Sequence, residues 1–218
     1  MQKIMNSPDS FVDDSLRGMV LAHPDIIRFC PGSKRGLVRA NKPEGRKVAI
    51  VTGGGFGHLP VFLGYVGEGL CDGCAVGNVF TSPSFESIIE TAREADCGAG
   101  VLFLFGNYMG DSMNFEMSSE MLEMEGIESR VVKCSDDAAS FSREKWHERR
   151  GVGGIAFAYK LVGSFAESAD SLDATTDFAG CVCSDIATLG FAMSSCQLPG
   201  ASKPIFDIGG DEMELGMG

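Results

Sequence analysis

Two side chains suited to proton transfer each follow an apolar, strand-like run in this chain. His58 comes after the run at 48–51 and three consecutive glycines at 53–55. Asp111 comes after the run at 101–105 and a short polar loop. A carboxylate can accept a hydroxyl proton, and an imidazole can hydrogen-bond to the same group, so the pair suits general acid–base chemistry.

Both residues also have a purely structural interpretation. Asp111 directly precedes a predicted helix at 112–125, where an aspartate commonly caps the first turn. His58 can be satisfied by the backbone of a tight glycine turn. That turn matches neither nucleotide signature, because His58 replaces the third glycine of G-x-G-x-x-G and no Gly-Lys-Ser/Thr follows. From the residues alone, both interpretations of each side chain stay open.

The surrounding pattern predicts an α/β fold with a mostly parallel or mixed sheet flanked by helices. Strand-like runs alternate with helical patterns, and they begin near residues 47, 75, 101, 129 and 188. Ligands of such sheets bind beyond the carboxyl ends of the strands. Residues 53–58, 81–82 and 107–111 all fall at such ends. The pattern therefore predicts one shared binding site there.

Some segments carry more local expectations. A helix is expected after the glycine turn, from near Val61 to the glycines at 67–69, and a polar helix is expected at 142–150. Ser82 or Ser84 is expected to cap the helix that follows Pro83.

The predicted helix at 112–125 carries a methionine stripe, which is expected to fill the core. Its members are Met113, Met117, Met121 and Met124. Asp136 and Asp137 are adjacent acids that can hold a metal, but a solvated turn is the default interpretation.

The eight cysteines do not form a recognisable metal site. The close pairs Cys71/Cys74 and Cys181/Cys183 lie far apart, whereas structural zinc normally takes two compatible pairs. Most of the cysteines have apolar neighbours. We therefore expect buried, reduced thiols and no bound metal.

The composition excludes several classes of partner. A net charge of −12 disfavours binding to nucleic acid or to anionic membranes. No apolar run approaches the roughly 20 residues that a membrane span needs. The first residues lack the apolar stretch of a signal peptide. We expect a cytoplasmic globular protein.

Several separated segments, in one order, resemble the substrate-binding K subunit or domain of dihydroxyacetone kinases. The resemblance covers nearly the whole chain. Its segments are GGGFGHLP at 53–60, NVFTSPS at 78–84, NYMGD at 107–111, RRGV at 149–152, SLD at 171–173, KP at 203–204 and EMELGMG at 212–218.

The resemblance implies phosphoryl transfer to the terminal hydroxyl of a short ketose, in carbohydrate or glycerol metabolism. It implies that Asp111 is the base and that His58 hydrogen-bonds the substrate and assists. The implied substrate-binding residues are Gly54, Gly55, Gly57, Ser82, Gly106 and Asn107. It implies that this chain binds no cofactor itself, and that a separate nucleotide-binding L-type subunit or domain carries ATP, or ADP as phosphoryl carrier, with Mg. A homodimer is implied as well.

The sequence departs from the family pattern in two places. Many members have a lysine where this chain has Gly106, and the glycine is closer to relatives suspected of acting on larger ketoses such as erythrulose. The family's covalent substrate histidine follows the equivalent of EMELGMG, whereas this chain stops at Gly218. We expect one K-type N-terminal domain over 1–218, with 180–218 as the start of a second domain. A non-catalytic ketose-binding or regulatory paralogue stays open as the alternative.

The absence of a phosphate-binding signature makes a direct prediction. The chain by itself should not bind Mg-ATP tightly, because it lacks a P-loop and its net charge of −12 repels a polyanion. Isothermal titration of the isolated chain should detect no site of micromolar affinity. A single saturable site in that range would contradict the prediction.

Overall fold

The computed structural model describes residues 4–169 and 171–216. At its centre lies a mixed sheet of six strands. They are β1 (Ile27–Phe29), β2 (Gly36–Arg39), β3 (Ala49–Phe56), β4 (Gly73–Val79), β5 (Val101–Gly106) and β6 (Ser129–Cys134). The spatial order is β1-β2-β4-β3-β5-β6, and β4, β3, β5 and β6 are parallel to one another. The α/β prediction is confirmed.

Five α-helices surround the sheet. They are α1 (Phe11–Ala22), α2 (Phe85–Ala95), α3 (Met109–Met124), α4 (Ile155–Ala166) and α5 (Leu172–Asp185). The central strands are apolar on both faces because each face is covered by helices. In β5, Phe103 packs with α2 and α3, while Leu102 and Leu104 pack with α4 and α5. α1 covers the edge that contains β1 and β2.

The two short strands at the antiparallel edge of the sheet, β1 and β2, are not among the strands that the apolar runs predict. β1 pairs with β2, and β2 pairs with β4, both in antiparallel register. Strands of three or four residues are too short to show a clear alternation of apolar and polar side chains, so the sequence carries little signal for them.

Three predicted elements differ from the structure. The glycine turn is not followed by an α-helix, since only a 3-10 helix at Leu63–Tyr65 forms there. The predicted strand at 188–193 does not join the sheet. Instead β7 (Phe191–Ala192) pairs only with β8 (Glu214–Leu215). The polar segment at 142–150 is also a 3-10 helix, at Arg143–Glu148.

The methionine stripe of α3 does not fill the core, contrary to the sequence prediction. The buried face of α3 is formed by Phe115, Ser118 and Leu122, and Phe115 stacks on Phe105 of β5. Packing of these residues turns the methionines outward. Met113, Met117, Met121 and Met124 are between 39% and 84% exposed.

Within residues 4–169 and 171–216, no helix combines the length and the apolar character needed to cross a bilayer. In the same part of the chain all eight cysteines are free, and five of them are buried.

A buried ionic cluster lies at the amino ends of β3 and β4. Asp72 accepts hydrogen bonds from Lys47 at 2.9 Å, from Arg39 at 3.1 Å and from the Ile50 backbone at 2.8 Å. Glu167, at the end of α4, also contacts Arg39 at 2.8 Å and Lys47 at 3.3 Å. The cluster thus connects the edge strand β2, the sheet centre and α4. Because a buried charge is costly without a partner, its members depend on one another.

Removing the central carboxylate should strongly destabilise the fold. Asp72→Asn leaves Lys47 and Arg39 buried with Glu167 as their remaining acid. We expect the free energy of unfolding to fall by about 3 kcal/mol, the lower end of the usual range for breaking a buried pair. Urea unfolding measures this change.

The matched control is Asp173→Asn. Asp173 pairs with Arg130 at 3.3 Å on the surface, where its side chain is 79% exposed. We expect a change below about 1 kcal/mol for this pair. Equal losses in the two variants would contradict the role given to the buried cluster.

Candidate functional site

Three neighbouring strands bring the predicted site residues to one edge of the sheet. β3, β4 and β5 are adjacent and parallel, so their carboxyl ends lie together. His58 follows β3, Ser82 follows β4, and Asp111 follows β5. The tertiary structure therefore places at one edge three residues that are far apart in the chain.

The glycines at 53–55 belong to the end of β3 rather than to a turn, which corrects the sequence prediction. A Cβ on Gly55 would lie 2.6 Å from the backbone nitrogen of Thr81 and 2.8 Å from Cα of Phe80. A Cβ on Gly77 of β4 would lie 1.8 Å from the carbonyl oxygen of Thr81. The loop after β4 thus rests directly on the strand backbone, and only glycine leaves room for it.

Gly54 and Gly57, the other two glycines of this segment that were predicted to bind substrate, pack against aromatic rings. A Cβ on Gly54 would lie 2.3 Å from the ring of Phe62. Gly57 has φ +107°, and a Cβ there would lie 2.9 Å from the ring of Phe80. Both glycines therefore help to shape the surroundings of His58.

His58 is exposed at this edge, and one ring nitrogen is already engaged. Its Nδ1 lies 3.0 Å from the carbonyl oxygen of Gly55. Because a carbonyl can only accept, Nδ1 is the nitrogen that carries the proton in this contact. Nε2 is left for another partner. The hydrogen bond to the backbone that is expected of a structural histidine is therefore present, and it uses only one of the two ring nitrogens.

Asp111 is the third residue of α3 and not its cap. The N-cap position is occupied by Tyr108, whose side chain makes no capping hydrogen bond. The side chain of Asp111 is almost completely buried, with 6% of the residue exposed. Its Oδ1 accepts no hydrogen bond within the described part of the chain. The helix-cap interpretation is therefore wrong for this residue.

Burial raises the pKa of Asp111 to about 6, although the Ser82 hydroxyl and the charge of His58 act in the opposite direction. The influence of Ser82 is that of a hydrogen-bonding neighbour, whereas the influence of His58 is electrostatic and acts over a longer range. A carboxyl that titrates near neutral pH and has an unused oxygen can accept a proton from a hydroxyl group.

Ser82 is free for this site because Ser84 caps the next helix. The Ser84 hydroxyl accepts a hydrogen bond from the Ser87 backbone at 3.3 Å, at the start of α2. The Ser82 hydroxyl lies instead against the start of α3, where a Cβ on Gly110 would be 2.7 Å from it. The alternative left open by the sequence is thereby decided.

Gly106 and Asn107 lie at the end of β5, where the segment at 147–151 packs against them. The side-chain amide of Asn107 donates to the carbonyl of Arg149 at 2.8 Å and to that of His147 at 3.2 Å. A Cβ on Gly151 would lie 2.4 Å from Cα of Gly106. Asn107 thus anchors a neighbouring segment with its amide nitrogen, while its carbonyl oxygen remains unused in these contacts.

Asp136 and Asp137 are buried and do not form a solvated turn, contrary to the sequence expectation. Asp136 accepts from the backbone of Val152 at 2.9 Å and of Gly154 at 2.7 Å, at the start of α4. Asp137 forms an ion pair with Arg150 at 2.8 Å. In residues 4–169 and 171–216, no group of acids, histidines and cysteines is arranged to hold a metal ion.

Sequence reasoning missed two aromatic residues beside His58. The ring centroid of Phe80 lies 4.8 Å from that of His58, and the centroid of Phe62 lies 6.0 Å from it. Phe80 stands inside the NVFTSPS segment, two residues before Ser82. Its position inside this family segment is the sequence signal that could have identified Phe80 as a neighbour of the site.

Comparison with known proteins identifies the family. A model described as the Dak1 domain matches residues 17–218. The chain belongs to the Dak1 domain family. The dihydroxyacetone kinase resemblance is thereby confirmed. The L-erythrulose 1-kinase of Mycolicibacterium smegmatis is 40% identical to this Dak1 chain over 218 residues, which are 100% of this chain and 38% of that protein.

Two further relatives support the same family assignment. The dihydroxyacetone-binding subunit DhaK of the PTS-dependent dihydroxyacetone kinase of Lactococcus lactis is 40% identical over 217 residues, 100% of this chain and 65% of the relative. The crystal structure of the dihydroxyacetone kinase from C. freundii, in complex with AMP-PNP and Mg²⁺, superposes with a TM-score of 0.90 at 30% identity. It is matched over 100% of this chain and 40% of its own. The Dak1 chain thus spans between 38% and 65% of the lengths of these relatives.

The raised pKa of Asp111 predicts a pH-dependent effect on stability. The unfolded carboxyl titrates at its ordinary value near 3.8, whereas the folded one titrates at about 6. As pH rises from about 4 to about 6, the Asp111 carboxyl loses its proton in the unfolded state but keeps it in the folded state. The free energy of unfolding therefore falls over this range and stays lower above pH 6. The shift corresponds to about 3 kcal/mol.

Asp111→Asn should therefore raise the free energy of unfolding at pH 7 by up to about 3 kcal/mol, with no gain near pH 4. The lost interaction with the helix dipole, about 0.5 kcal/mol, is the smaller term. Urea unfolding at both pH values measures the difference. Glu120→Gln, on the exposed side of α3, is the control and should change little at either pH. If Asp111→Asn left the free energy of unfolding at pH 7 unchanged or lowered it, burial could not be the cause of the raised pKa.

Proposed function

We propose that this Dak1 chain is the ketose-binding part of a dihydroxyacetone (glycerone) kinase-type phosphotransferase. The observation that carries the proposal is the buried carboxyl of Asp111, whose pKa is about 6 and whose Oδ1 accepts no hydrogen bond from the described residues, at the same strand ends as Ser82 and His58. Such a group is suited to accept a proton from a hydroxyl near neutral pH.

In the proposed reaction, the ketose lies at the carboxyl ends of β3, β4 and β5. His58 hydrogen-bonds the substrate through Nε2, because Nδ1 is engaged by Gly55. Ser82 and the glycine-rich backbone contact its polar groups. Asp111 takes the proton of the terminal hydroxyl as that oxygen forms a bond to the transferred phosphorus. The bond between phosphorus and the leaving oxygen of the donor breaks in the same step, and transfer relies on positioning and charge stabilisation.

The phosphoryl donor is proposed to reside on a separate nucleotide-binding L-type subunit or domain, as ATP or as ADP used as a phosphoryl carrier, with Mg²⁺. The support is that this chain has no phosphate-binding signature and carries a net charge of −12. The name of the Lactococcus lactis relative describes a separate dihydroxyacetone-binding subunit. We further propose a homodimer located in the cytoplasm and a role in glycerol and carbohydrate metabolism.

Dihydroxyacetone and erythrulose are the two proposed substrates. The named activities of the relatives include both. Gly106 lacks the cationic side chain that many family members carry at this position, and a Cβ there would lie 3.2 Å from the carbonyl oxygen of Gly151. We propose that this favours the larger ketose.

Residues 180–218 are proposed to begin a second domain. Residues 180–185 continue α5, whereas the following described residues form only the small β7–β8 pair. Apolar side chains of this segment, including Phe191 and Met193, are exposed. Further polypeptide packed on this surface would bury them.

The test uses the full-length protein together with its nucleotide-binding partner, Mg-ATP and either ketose. Asp111→Asn should lower kcat by roughly 10²- to 10⁴-fold, the usual contribution of a general base. Ketose binding, measured by isothermal titration, should be largely unchanged because the amide keeps the shape of the carboxyl. Phosphorylated ketose is quantified by ³¹P NMR.

Asp173→Asn is the control, because it removes an exposed acid far along the chain from the site residues. Near-normal turnover by Asp111→Asn would assign this residue a purely structural role. Ketose binding by the wild-type protein without any transfer would support the non-catalytic ketose-binding module instead.

A further inference from the structure

Phe80 has a backbone conformation that phenylalanine rarely adopts. Its φ is +55°, and it is the only non-glycine residue with positive φ in the part of the chain that the structure describes. A bulky side chain in this region is strained, and such strain persists only where the surroundings enforce it. Phe80 is also 40% exposed, so burial of its ring in the core does not explain the conformation.

The surroundings of Phe80 fix both its backbone and its ring. Its backbone nitrogen donates to the carbonyl of Phe56 at 3.0 Å. Its Cα would lie only 2.8 Å from a Cβ on Gly55, so the backbone of Phe80 packs directly on that glycine. Its ring fills the space beside Gly57 and lies against His58, with 4.8 Å between the ring centroids and an angle of 51° between the planes.

His58 is held from three directions as a result. The carbonyl of Gly55 accepts from Nδ1 at 3.0 Å. Phe80 lies on one side of the imidazole, and Phe62 approaches it edge-on with a centroid distance of 6.0 Å. An exposed histidine without such neighbours would rotate about its side-chain bonds and exchange the positions of its two nitrogens.

We propose that Phe80 is a positioning residue that holds the His58 imidazole in one orientation, with Nδ1 on Gly55 and Nε2 toward the bound ketose. This inference rests on the proposed function, since it gives Nε2 a substrate to contact. The strained backbone is the consequence of placing an aromatic ring between Gly57 and His58 while Ser82, two residues later, stays in contact with the start of α3. One loop thereby supplies a substrate-binding hydroxyl and orients the histidine.

The first measurement needs neither ketose nor partner. ¹⁵N NMR of the full-length protein reports which nitrogen of a neutral histidine carries the proton. The variant His58→Gln identifies the His58 signals by their loss from the spectrum. We expect the wild-type protein to show His58 with the proton on Nδ1, and Phe80→Leu to show a mixture of both tautomers. Phe80→Tyr, which keeps the ring, should restore the wild-type pattern.

Leucine is strained at positive φ just as phenylalanine is, so Phe80→Leu removes the ring without relieving the backbone strain. Phe141→Leu is the matched control, because Phe141 is 41% exposed and lies outside this loop. It should leave the His58 signals unchanged.

The second measurement is turnover of dihydroxyacetone and of erythrulose with the nucleotide-binding partner. Phe80→Leu should lower kcat/KM by roughly 10- to 100-fold, the scale on which small displacements of a reacting group act. Phe80→Tyr should recover most of that loss.

An unchanged tautomer pattern in Phe80→Leu would overturn the inference, whatever the kinetics show. If the wild-type protein transfers phosphate to neither ketose, the proposed function fails, while the NMR result still decides how His58 is held. If Phe80→Leu does not fold, as judged by circular dichroism, Phe62→Leu removes the other flanking ring and is judged by the same tautomer measurement.

Discussion

The loop after β4 rests on the bare backbone of β3 and β4, and the candidate site depends on this contact. At Gly55 and Gly77 any side chain would occupy the space of Thr81 or Phe80. Because these positions lack a Cβ, the loop can turn back across the strand ends and bring Ser82 to the start of α3. A closer approach of backbone to backbone is available only to glycine. The glycine-rich strand is therefore a platform for the neighbouring loop.

Buried charged groups are treated differently at the two ends of the parallel strands. At the amino ends, Asp72, Lys47 and Arg39 satisfy one another in a buried cluster. At the carboxyl ends, Oδ1 of the buried Asp111 has no hydrogen-bond partner in residues 4–169 and 171–216, and burial raises the pKa of this carboxyl. Groups that are left unsatisfied in a folded protein cost stability, and they concentrate where a ligand can complete them. Buried charges that are satisfied and a buried carboxyl that is not are thus found at opposite ends of the same parallel strands.

The separation also explains which polar residues are not part of the site. Asp136 and Asp137 follow β6 at the same edge of the sheet, yet their oxygens are used by the start of α4 and by Arg150. Ser84 is used by α2. Polar residues at strand ends are therefore divided between those that hold neighbouring elements in place and those that remain available.

Much of this protein was determined by sequence pattern alone. The strand-like runs near 47, 75, 101 and 129 predicted the central strands, and the run at 101–105 is continuously apolar because its strand is buried on both faces. The separated motifs identified the family, and the alternation of strands and helices predicted that His58, Ser82 and Asp111 would share one edge. What the pattern could not supply was the pairing of short edge strands, which depends on partners distant in the chain.

Only the tertiary structure decided how individual side chains are used. Helical spacing grouped the methionines of α3, but the packing of Phe115 and Leu122 determined that they face outward. By sequence Asp111 stands near the start of a helix in either interpretation, and only its burial and its position inside α3 distinguish a carboxyl with a raised pKa from a helix cap. The positive φ of Phe80 has no sequence signature at all. Burial, pKa and orientation arise from neighbours distant in sequence, so local residue patterns cannot determine them.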